Sequence, residues 1–202
     1  MGVNKDLYLM LSDGGTVHES TAAIYPIRLV QSGPAGGAQA AVAINKITDN
    51  KDNQGNILCF DMGGTTAKAA LIHEGRIEMS TEYEVGGNTH GSQGGGGYGG
   101  GYPIRGSFMD IVEVGAGGGS IAWVDGGGFL RVGPRSAGAE PGPVCYGTGG
   151  IEPTVTDANL VLGRLNPDYF LGGAMHLDKG LATEAVGRLG ERLDSNIEET
   201  AL

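Results

Sequence analysis

The sequence lacks the long apolar runs and the cysteine and histidine patterns that mark several classes of protein. No stretch is apolar over the ~20 residues needed to cross a bilayer, and no basic-then-apolar export signal opens the chain. Cys59 and Cys145 are the only cysteines, and neither they nor the four histidines have metal-ligand spacing. We therefore expect a cytoplasmic protein with reduced thiols, no membrane partner, and neither a histidine-based metal site nor a Ser-His-Asp triad.

Positive charge is also scarce. The chain has 13 Lys and Arg residues against 23 Asp and Glu residues, which gives a formal net charge of −10. A surface that binds nucleic acid or anionic lipid needs the opposite sign, because binding to a polyanion depends on the release of its counterions. We therefore expect no nucleic-acid partner.

Glycine is the residue in excess. The 40 glycines make up about a fifth of the chain, against an average near 7%, yet they follow no Gly-X-Y period and stand among ordinary apolar runs. The densest stretch, residues 86–103, has too few side chains to form a core of its own. We predict a flexible surface loop there, with a lid over a bound ligand as the alternative.

Apolar periodicity and turn residues predict an α/β chain. The clearest element is a β-hairpin with strands at 67–73 and 76–83, joined at Glu74-Gly75. The acidic segment 194–202 is expected to fray. The other expected elements are strands at 7–11, 27–30, 121–124 and 129–132, helices at 36–47, 157–162 (capped by Thr156) and 180–193 (capped by Asp178), and a long ordered loop at 134–150.

The most informative motif is ILCFDMGGTT at 57–66, an apolar run that ends at an acid, two glycines and two threonines. It predicts a buried strand followed by a phosphate-binding turn. Gly63 and Gly64 lack a Cβ and so allow backbone N–H groups to approach an anion, and the threonines add hydroxyl donors. Asp61 can hold a metal ion or a water. The alternative is an ordinary tight turn, since Asp and Gly favour turns for conformational reasons.

This turn lies between two predicted strands, and that context separates it from other phosphate loops. The Walker-type loop and the dinucleotide fingerprint both place their glycines at the amino end of a helix, where the dipole favours phosphate. Here the segment after the glycines, residues 67–73, has a strand pattern. The sequence therefore predicts a phosphate site at a β-hairpin.

A second glycine-rich segment, residues 115–120, follows two acids. Its glycines either allow tight sheet packing or bring the backbone close to a nucleotide or substrate. Asp110 and Glu113 can bind a metal ion or act as a general base, and the alternative is that they are solvated or hydrogen-bonded carboxylates. Both the segment and the two acids are candidates for a functional site.

Five motifs occur in one order along the chain: SGPAGG at 32–37, FDMGGTT at 60–66, VGAGGGSIA at 114–122, VGPRSAGAEPGP at 132–143 and TDANL at 156–160. Together they resemble the hydantoinase A and 5-oxoprolinase family over about residues 7–178. That family is similar in fold to sugar kinases, heat-shock chaperones and actin, in which two related lobes clamp ATP and each supplies a phosphate loop at a β-hairpin. The resemblance implies an ATPase lobe with a mixed β-sheet, flanking helices and glycine-rich loops.

The family chemistry implies ATP, with Mg²⁺ or another divalent cation, as cofactors. ATP phosphorylates the oxygen of a cyclic amide or related carbonyl, and water then opens the activated ring or, in ketone-carboxylating relatives, a carbon nucleophile attacks it. The resemblance implies that Asp61 is a metal ligand and an essential carboxylate, with Asp110 and Glu113 as further catalytic candidates. The residues implied to hold the nucleotide are Gly63, Gly64, Thr65, Thr66, Gly117, Gly118, Gly119 and Ser120.

Two departures from the family pattern qualify these expectations. The family has an earlier Asp-x-Gly-Gly-Thr loop, and residues 1–202 contain one copy only. We therefore expect one lobe of a two-lobed fold, with the missing N-terminal lobe or a second subunit as partner. Lys68 stands where the pattern often has an acid, and it either projects into solvent or contacts phosphate. The alternatives to a cyclic-amide hydrolase are a non-catalytic nucleotide-binding or assembly module and a ketone-carboxylase subunit.

Overall fold

The computed structural model describes residues 6–47, 55–85 and 101–202. These residues form two compact units. The first comprises the residues up to Asp61 together with Lys68–Val114, and the second comprises Met62–Ala67 together with Gly115–Leu202. The turn of the predicted phosphate loop therefore belongs to the second unit, although the strands on either side of it run mainly through the first.

The first unit begins with a hairpin and three helical segments. Strand β1 (Tyr8–Met10) pairs antiparallel with β2 (Thr16–His18). Helix α1 (Glu19–Ile24) follows directly, then the short 3-10 helix Pro26–Leu29, and then α2 (Ser32–Ile47). The helix predicted at 36–47 is therefore confirmed, and it begins earlier than expected.

The strand predicted at 27–30 is wrong. Pro26 is the first residue of the 3-10 helix, where its fixed φ favours a helical start. The backbone carbonyl of Arg28 accepts hydrogen bonds from the N–H and the hydroxyl of Ser12, at 2.7 and 2.8 Å. Because that carbonyl is already used, the segment closes a turn and does not join a strand ladder.

Two sets of strands follow in the first unit. The hairpin predicted at Glu74-Gly75 is confirmed, since both residues have positive φ, 51° and 72°, as tight hairpin turns require. Its second strand is interrupted at Glu78, whose carbonyl accepts the N–H of Asp110 at 2.8 Å. One sheet contains, in order, β3 (Ile57–Met62), β4 (Ala67–His73) and β5 (Arg76–Ile77), and β8 (Val112–Val114) pairs with β4. A separate sheet is formed by β6 (Met79–Val85), which pairs antiparallel with β7 (Tyr102–Met109).

Helix α2 and the sheet that contains β4 share one buried core. Ala35 and Ala38 of α2 are fully buried and cluster with Ala70, Met109 and Ile111. Alanine side chains are short, so the helix lies close to the strands and leaves little empty space. This core explains the alanines at positions 35 and 38 of α2.

The other face of this sheet is apolar and exposed, which corrects the prediction that β3 is buried. Leu58 and Phe60 are 65% and 61% exposed, and Leu71 of β4 is 67% exposed. Val112 and Val114 of β8 are exposed as well. Side chains alternate along a strand, so these five lie on the side away from α2, and we call them the outer sheet face. The apolar run does form a strand, but no described residue covers this side of it.

The second unit combines one hairpin with three α-helices. Strands β9 (Ser120–Val124) and β10 (Leu130–Ser136) pair antiparallel, which confirms the two strands predicted between 121 and 132. A core cluster contains Cys145, Leu160 and Leu177. The helical segments are the 3-10 helices Val144–Tyr146 and Leu171–Gly173 and the α-helices α3 (Val155–Val161), α4 (Lys179–Leu193) and α5 (Ile197–Ala201).

Helix α3 begins at a different cap from the one predicted. Thr154, not Thr156, is the N-cap: its hydroxyl accepts the N–H of Asp157 at 3.4 Å, and the Asp157 carboxylate accepts the N–H of Thr154 at 2.8 Å. This reciprocal capping box fixes the start of the helix. The Thr156 hydroxyl instead donates to the carbonyl of Gly118 at 2.8 Å. The cap predicted for α4, Asp178, is confirmed.

Residues 194–202 include a capped helix rather than the frayed tail expected from their acidic composition. Asn196 caps α5 by accepting the N–H of Glu199 at 2.9 Å. Thr200 is buried, and a Cβ added at Gly190 of α4 would lie 2.7 Å from its hydroxyl. This close approach between α5 and α4 orders a segment whose composition alone favours solvent.

Three smaller predictions can be compared with the structure. Most of the loop predicted at 86–103 lies outside the described residues, and its last two residues, Tyr102 and Pro103, belong to β7. Cys59 and Cys145 are free thiols, as predicted. Among the helices of the described segments, none has the length and apolar character needed to cross a membrane.

Candidate functional site

The predicted phosphate loop forms a tight turn between β3 and β4. Gly63 donates its N–H to the carbonyl of Thr66 at 2.9 Å, which closes the turn over Gly64 and Thr65. Gly63, Gly64 and Thr65 are exposed to solvent. The β-hairpin context predicted for this motif is therefore confirmed.

The second glycine-rich segment lies directly against this turn. Gly118 donates its N–H to the carbonyl of Gly63 at 2.8 Å, and Gly119 donates to the carbonyl of Gly64 at 2.6 Å. A Cβ on Gly117 would lie 2.6 Å from both the Gly63 carbonyl oxygen and the Thr66 nitrogen. No side chain fits at that distance, so the close contact requires glycine at position 117. The structure thus brings together the two segments that were predicted to hold a nucleotide.

Several N–H groups of the residues predicted to hold the nucleotide are already used within the protein. The N–H groups of Gly63, Gly118 and Gly119 all donate to protein carbonyls. Within residues 6–47, 55–85 and 101–202, the N–H groups of Gly64 and Thr65 have no protein acceptor. The capacity of the turn to bind an anion through its backbone is therefore concentrated at Gly64 and Thr65.

Ser120 stabilises the second glycine-rich segment through hydrogen bonds to Gly117 of the same segment. It is 1% exposed; its hydroxyl accepts the N–H of Gly117 at 2.8 Å, and its own N–H donates to the Gly117 carbonyl at 3.0 Å. A buried hydroxyl that is bonded within its own loop does not reach a ligand. We therefore assign Ser120 to holding the shape of the loop, rather than to the direct nucleotide contact expected from the sequence.

A pocket of about 420 Å³ opens beside the joined glycine segments, within the second unit. Its volume lies in the range of small-molecule sites, roughly 300–1,000 Å³. One part of its wall is backbone from the two glycine segments, at Gly63, Gly64, Gly118 and Gly119. The pocket therefore places four of the eight residues predicted to bind a nucleotide at one surface.

The side chains on the rest of the wall are not among the site residues predicted from the sequence. They include Tyr146, Asn159, Leu165 and Phe170. Tyr146 ends a 3-10 helix, Asn159 lies on α3, and the other two lie between α3 and α4. They come from separate segments and share no motif, so only the fold brings them together. The one local signal is that Asn159 belongs to the TDANL motif.

Hydrogen bonds to Asp157 connect the wall segments that carry Tyr146 and Asn159. It is completely buried, and its carboxylate accepts the N–H groups of Val144 at 3.2 Å, Cys145 at 2.8 Å and Thr154 at 2.8 Å, together with the Thr154 hydroxyl at 2.8 Å. These bonds join the 3-10 helix that ends at Tyr146 to the start of α3. Burial first, and then the charge of Asp157, raise the pKa of the Cys145 thiol, which makes this cysteine a poor nucleophile.

The three carboxylates predicted to be catalytic, Asp61, Asp110 and Glu113, belong to the first unit. Asp61 is exposed near the end of β3. The Glu113 side chain is 14% exposed; its Oε1 lies 3.3 Å from Nζ of Lys68, and Gln31 donates to its Oε2 at 3.5 Å. Lys68 is therefore paired with an acid rather than projecting into solvent, and the charge of Glu113 is balanced by that of Lys68. Asp61 is thus more accessible to a ligand than Glu113.

Asp110 gives a pH-dependent prediction. Burial, and then the charge of Glu78, raise the pKa of Asp110 above its ordinary value of 3.8. The folded protein thus binds this proton more tightly than the unfolded chain does. Ionisation of Asp110 therefore lowers the free energy of unfolding, and this loss is absent at low pH and grows as pH rises through the folded pKa. We expect Asp110→Asn to be more stable than the wild type near pH 7 and equal to it below about pH 3.5, measured by urea unfolding.

The matched control for this pH series is Asp6→Asn, because the Asp6 side chain is 80% exposed. It should show a smaller difference from the wild type across the same pH range. If the Asp110 variant gained nothing near neutral pH, or if both variants gained equally, the burial argument for Asp110 would be wrong.

The metal role predicted for Asp61 stays a prediction. Among the described residues, no group of three or more His, Cys, Asp or Glu side chains is positioned to hold a metal ion. A Mg²⁺ ion that binds together with a nucleotide needs only one or two carboxylates, since phosphate oxygens and waters supply its other ligands. One exposed carboxylate at Asp61 is chemically sufficient for that kind of site.

The helices and antiparallel strand pairs confirm the α/β class predicted from the sequence. The chain belongs to the Hydantoinase/oxoprolinase family, whose model matches residues 1–202. The resemblance carried by the five sequence motifs is therefore confirmed.

Three similar proteins show how far this likeness extends. The caprolactamase alpha subunit of Pseudomonas jessenii is 36% identical over 203 residues, covering 100% of this chain and 27% of that subunit. The 5-oxoprolinase of Dictyostelium discoideum is 38% identical over 174 residues, covering 82% of this chain and 12% of that enzyme. The nucleotide-free structure of an acetone carboxylase matches with a TM-score of 0.74 and 29% identity, covering 99% of this chain and 26% of its own. The chain thus spans 27% or less of the length of these relatives.

Proposed function

We propose that the pocket of the second unit binds ATP, with the phosphates against the turn at Gly63–Thr66. The observation that carries this proposal is the meeting of two glycine segments at one wall of the pocket. The N–H groups of Gly64, which lines this wall, and of the next residue, Thr65, lack protein acceptors among the described residues. Oriented backbone N–H groups stabilise an anion without a basic side chain. The acetone carboxylase relative acts in an ATP-dependent reaction, which supports ATP as the ligand.

The same features support a finer assignment of the fold. In ATPase lobes of the actin and sugar-kinase type, each phosphate loop lies at a β-hairpin, as the turn between β3 and β4 does here. We therefore propose that residues 1–202 form the second nucleotide-binding lobe of such an ATPase. In this lobe the turn at Gly63–Thr66 faces the phosphates, and residues 117–119 hold the turn through hydrogen bonds to the carbonyls of Gly63 and Gly64.

The proposed roles of the individual residues follow from their exposure and bonding. Gly64 and Thr65 donate N–H groups to phosphate oxygens, and Thr66 supports the turn through its carbonyl. Asp61 holds Mg²⁺, another divalent cation, or a water. A bound cation neutralises the charge that develops on the transferred phosphoryl group. Asp110 remains a candidate base, and we assign Glu113 to the ion pair with Lys68.

For the complete protein we propose ATP-dependent opening of a cyclic amide. Caprolactam and 5-oxoproline, which the names of two relatives contain, are both cyclic amides. Transfer of the γ-phosphoryl group to the amide oxygen makes the ring carbon electrophilic, and water adds to that carbon. The C–N bond then breaks to leave an acyl phosphate, which a second water hydrolyses to a carboxylate and phosphate. A subunit of a ketone carboxylase is the second candidate, favoured by the likeness to acetone carboxylase. We place the reaction in the cytoplasm, where the two free thiols remain reduced.

This activity requires a partner, and the outer sheet face is the surface we propose for it. Its five apolar side chains are exposed on neighbouring strands β3, β4 and β8. A contiguous apolar patch of this kind usually marks an interaction site, since the solvated face of an antiparallel sheet is normally polar. We propose that the missing N-terminal lobe, or a second subunit, covers this face and supplies the other phosphate loop.

The test combines the chain with the part of the caprolactamase alpha subunit that lies outside the matched region. We expect phosphate release that needs Mg²⁺, ATP and a cyclic amide, and a decrease of about 100-fold or more for Asp61→Asn. The control is Asp168→Asn, an exposed acid outside the motifs, which should keep full activity. Release with acetone and bicarbonate instead would favour the carboxylase, and no release with any substrate, or an active Asp61→Asn, would contradict the proposal.

A further inference from the structure

The pocket in the second unit has two chemically different parts. One part is the glycine backbone at Gly63–Gly64 and Gly118–Gly119, which carries no side chain and suits an anion through the Gly64 N–H, the one of these four that has no protein acceptor among the described residues. Tyr146, Leu165 and Phe170 line the same 420 Å³ pocket with apolar and aromatic surface. A phosphate group gains nothing from such surface, because burying its charge against apolar atoms costs free energy. The aromatic part therefore belongs to a different portion of a ligand.

We propose that Tyr146, Leu165 and Phe170 bind the nucleobase of the nucleotide and that Asn159 contacts its edge. This inference rests on the proposed nucleotide site and adds which part of the pocket recognises the base. The centroids of the Tyr146 and Phe170 rings are 5.7 Å apart with an angle of 44° between the planes, so the pair presents more than one aromatic surface. A flat heterocycle gains dispersion and stacking energy on surfaces of this kind.

Backbone contacts hold both aromatic residues in place before any ligand binds. Tyr146 ends the 3-10 helix that Asp157 anchors through the N–H groups of Val144 and Cys145. The carbonyl of Phe170 accepts hydrogen bonds from Gly173 at 3.0 Å and from Met175 at 3.2 Å. Because the walls are ordered in advance, binding pays little entropy to arrange them.

Asn159 supplies the polar contact that an apolar surface lacks. Its side-chain oxygen accepts a hydrogen bond from Nη1 of Arg164 at 3.2 Å, an assignment that leaves the amide N–H groups as donors. The ring nitrogens of a purine are hydrogen-bond acceptors, so this donor matches their chemistry. Asn159 lies on α3, which also carries Thr156 against the Gly118 carbonyl. One helix thereby contributes to both parts of the pocket.

The test separates the nucleobase from the phosphates. Calorimetric titrations with ATP and with inorganic tripolyphosphate, both with Mg²⁺, are made on the wild-type chain and on Tyr146→Ala. Removing a stacking ring typically weakens binding about 10-fold or more, so ATP binding should fall by that factor while tripolyphosphate binding stays unchanged. Tyr169→Ala is the control, since Tyr169 is a neighbouring aromatic residue that is 68% exposed.

A second variant distinguishes loss of the aromatic ring from loss of the folded structure. Tyr146→Leu keeps apolar bulk but removes the ring, and it should show the same selective loss for ATP. Asn159→Ala should weaken ATP by about 5-fold, the effect of one ordinary hydrogen bond, without changing tripolyphosphate.

The outcomes distinguish this inference from the function on which it rests. Wild-type binding of both ligands with equal affinity, or equal losses for both in the Tyr146 variants, would overturn the nucleobase assignment and leave the phosphate site standing. Wild-type binding of neither ligand would overturn the proposed function and this inference together.

Discussion

Gly117→Ala is expected to weaken ATP binding at least about 100-fold and to lower the free energy of unfolding by about 3 kcal/mol. The added Cβ would lie 2.6 Å from the Gly63 carbonyl oxygen and the Thr66 nitrogen, and 2.7 Å from the Thr65 carbonyl carbon. All three are backbone atoms, which cannot rotate away as the end of a long side chain can. The turn must therefore move away from the second glycine segment, and the N–H groups of Gly64 and Thr65, which bind phosphate in our proposal, lose the position that this contact gives them.

Gly115→Ala is the matched control, because it adds the same methyl group in the same segment. A Cβ at Gly115 meets no described atom within 4 Å, and its backbone is not in the left-handed region. Its stability should stay within about 0.5 kcal/mol of the wild type, and its ATP affinity should be unchanged. Urea unfolding and calorimetric titration measure the two quantities. Identical behaviour of the two variants would contradict the close contact between the turn and the loop.

Asp157→Ala is expected to lower the free energy of unfolding by about 4 kcal/mol, the largest stability change that the structure predicts. The substitution leaves the buried N–H groups of Val144, Cys145 and Thr154 without their acceptor. Each unsatisfied buried donor costs about 1–3 kcal/mol, so three of them outweigh the gain from no longer burying a charge. The 3-10 helix and the start of α3 then lose the group that joins them.

The control is Asp178→Ala, which removes the exposed cap of α4 and should cost about 1 kcal/mol. A thiol reagent provides a second measurement, because the fully buried Cys145 reacts only when this region opens. Its reaction should be much faster in Asp157→Ala than in Asp178→Ala. Equal stability losses in the two variants, or an unreactive Cys145 in both, would show that Asp157 does not anchor these segments.

Local elements were largely predictable from the sequence, because short-range patterns determine them. The strand at 67–73 matches β4 residue for residue, since its alternation and the following Glu74-Gly75 turn are both local signals. The start of α3 was harder, because Thr154 and Thr156 are both good caps. Which one caps the helix depends on the Gly118 carbonyl, which engages Thr156 from a distant part of the chain.

The glycine motifs show what a sequence leaves open. A residue without Cβ allows close approach of any group, whether a ligand or another stretch of protein. For residues 115–120 the sequence leaves open whether the glycines allow tight packing or bring the backbone close to a nucleotide. In the structure the N–H groups of Gly118 and Gly119 bond the carbonyls of Gly63 and Gly64. Only the folded structure separates these occupied donors from the N–H groups of Gly64 and Thr65.

Burial was the least predictable property, because it depends on what lies nearby. The apolar run before Asp61 has the composition of a buried strand, yet Leu58 and Phe60 are exposed. Composition indicates that a side chain favours an apolar neighbour, but not whether the same chain provides one. The aromatic part of the pocket was equally unpredictable from the sequence, since Tyr146 and Phe170 belong to no common motif and only the fold brings their rings together.

Photo-crosslinking with an azido-ATP analogue, followed by peptide mapping, tests most directly whether the pocket of the second unit holds a nucleotide. We expect the label on peptides that contain Tyr146, Asn159 or Phe170, and we expect excess Mg-ATP to prevent the labelling and Gly117→Ala to abolish it. Labelling confined to peptides of the first unit, or labelling of the second unit that excess ATP does not reduce, would contradict it.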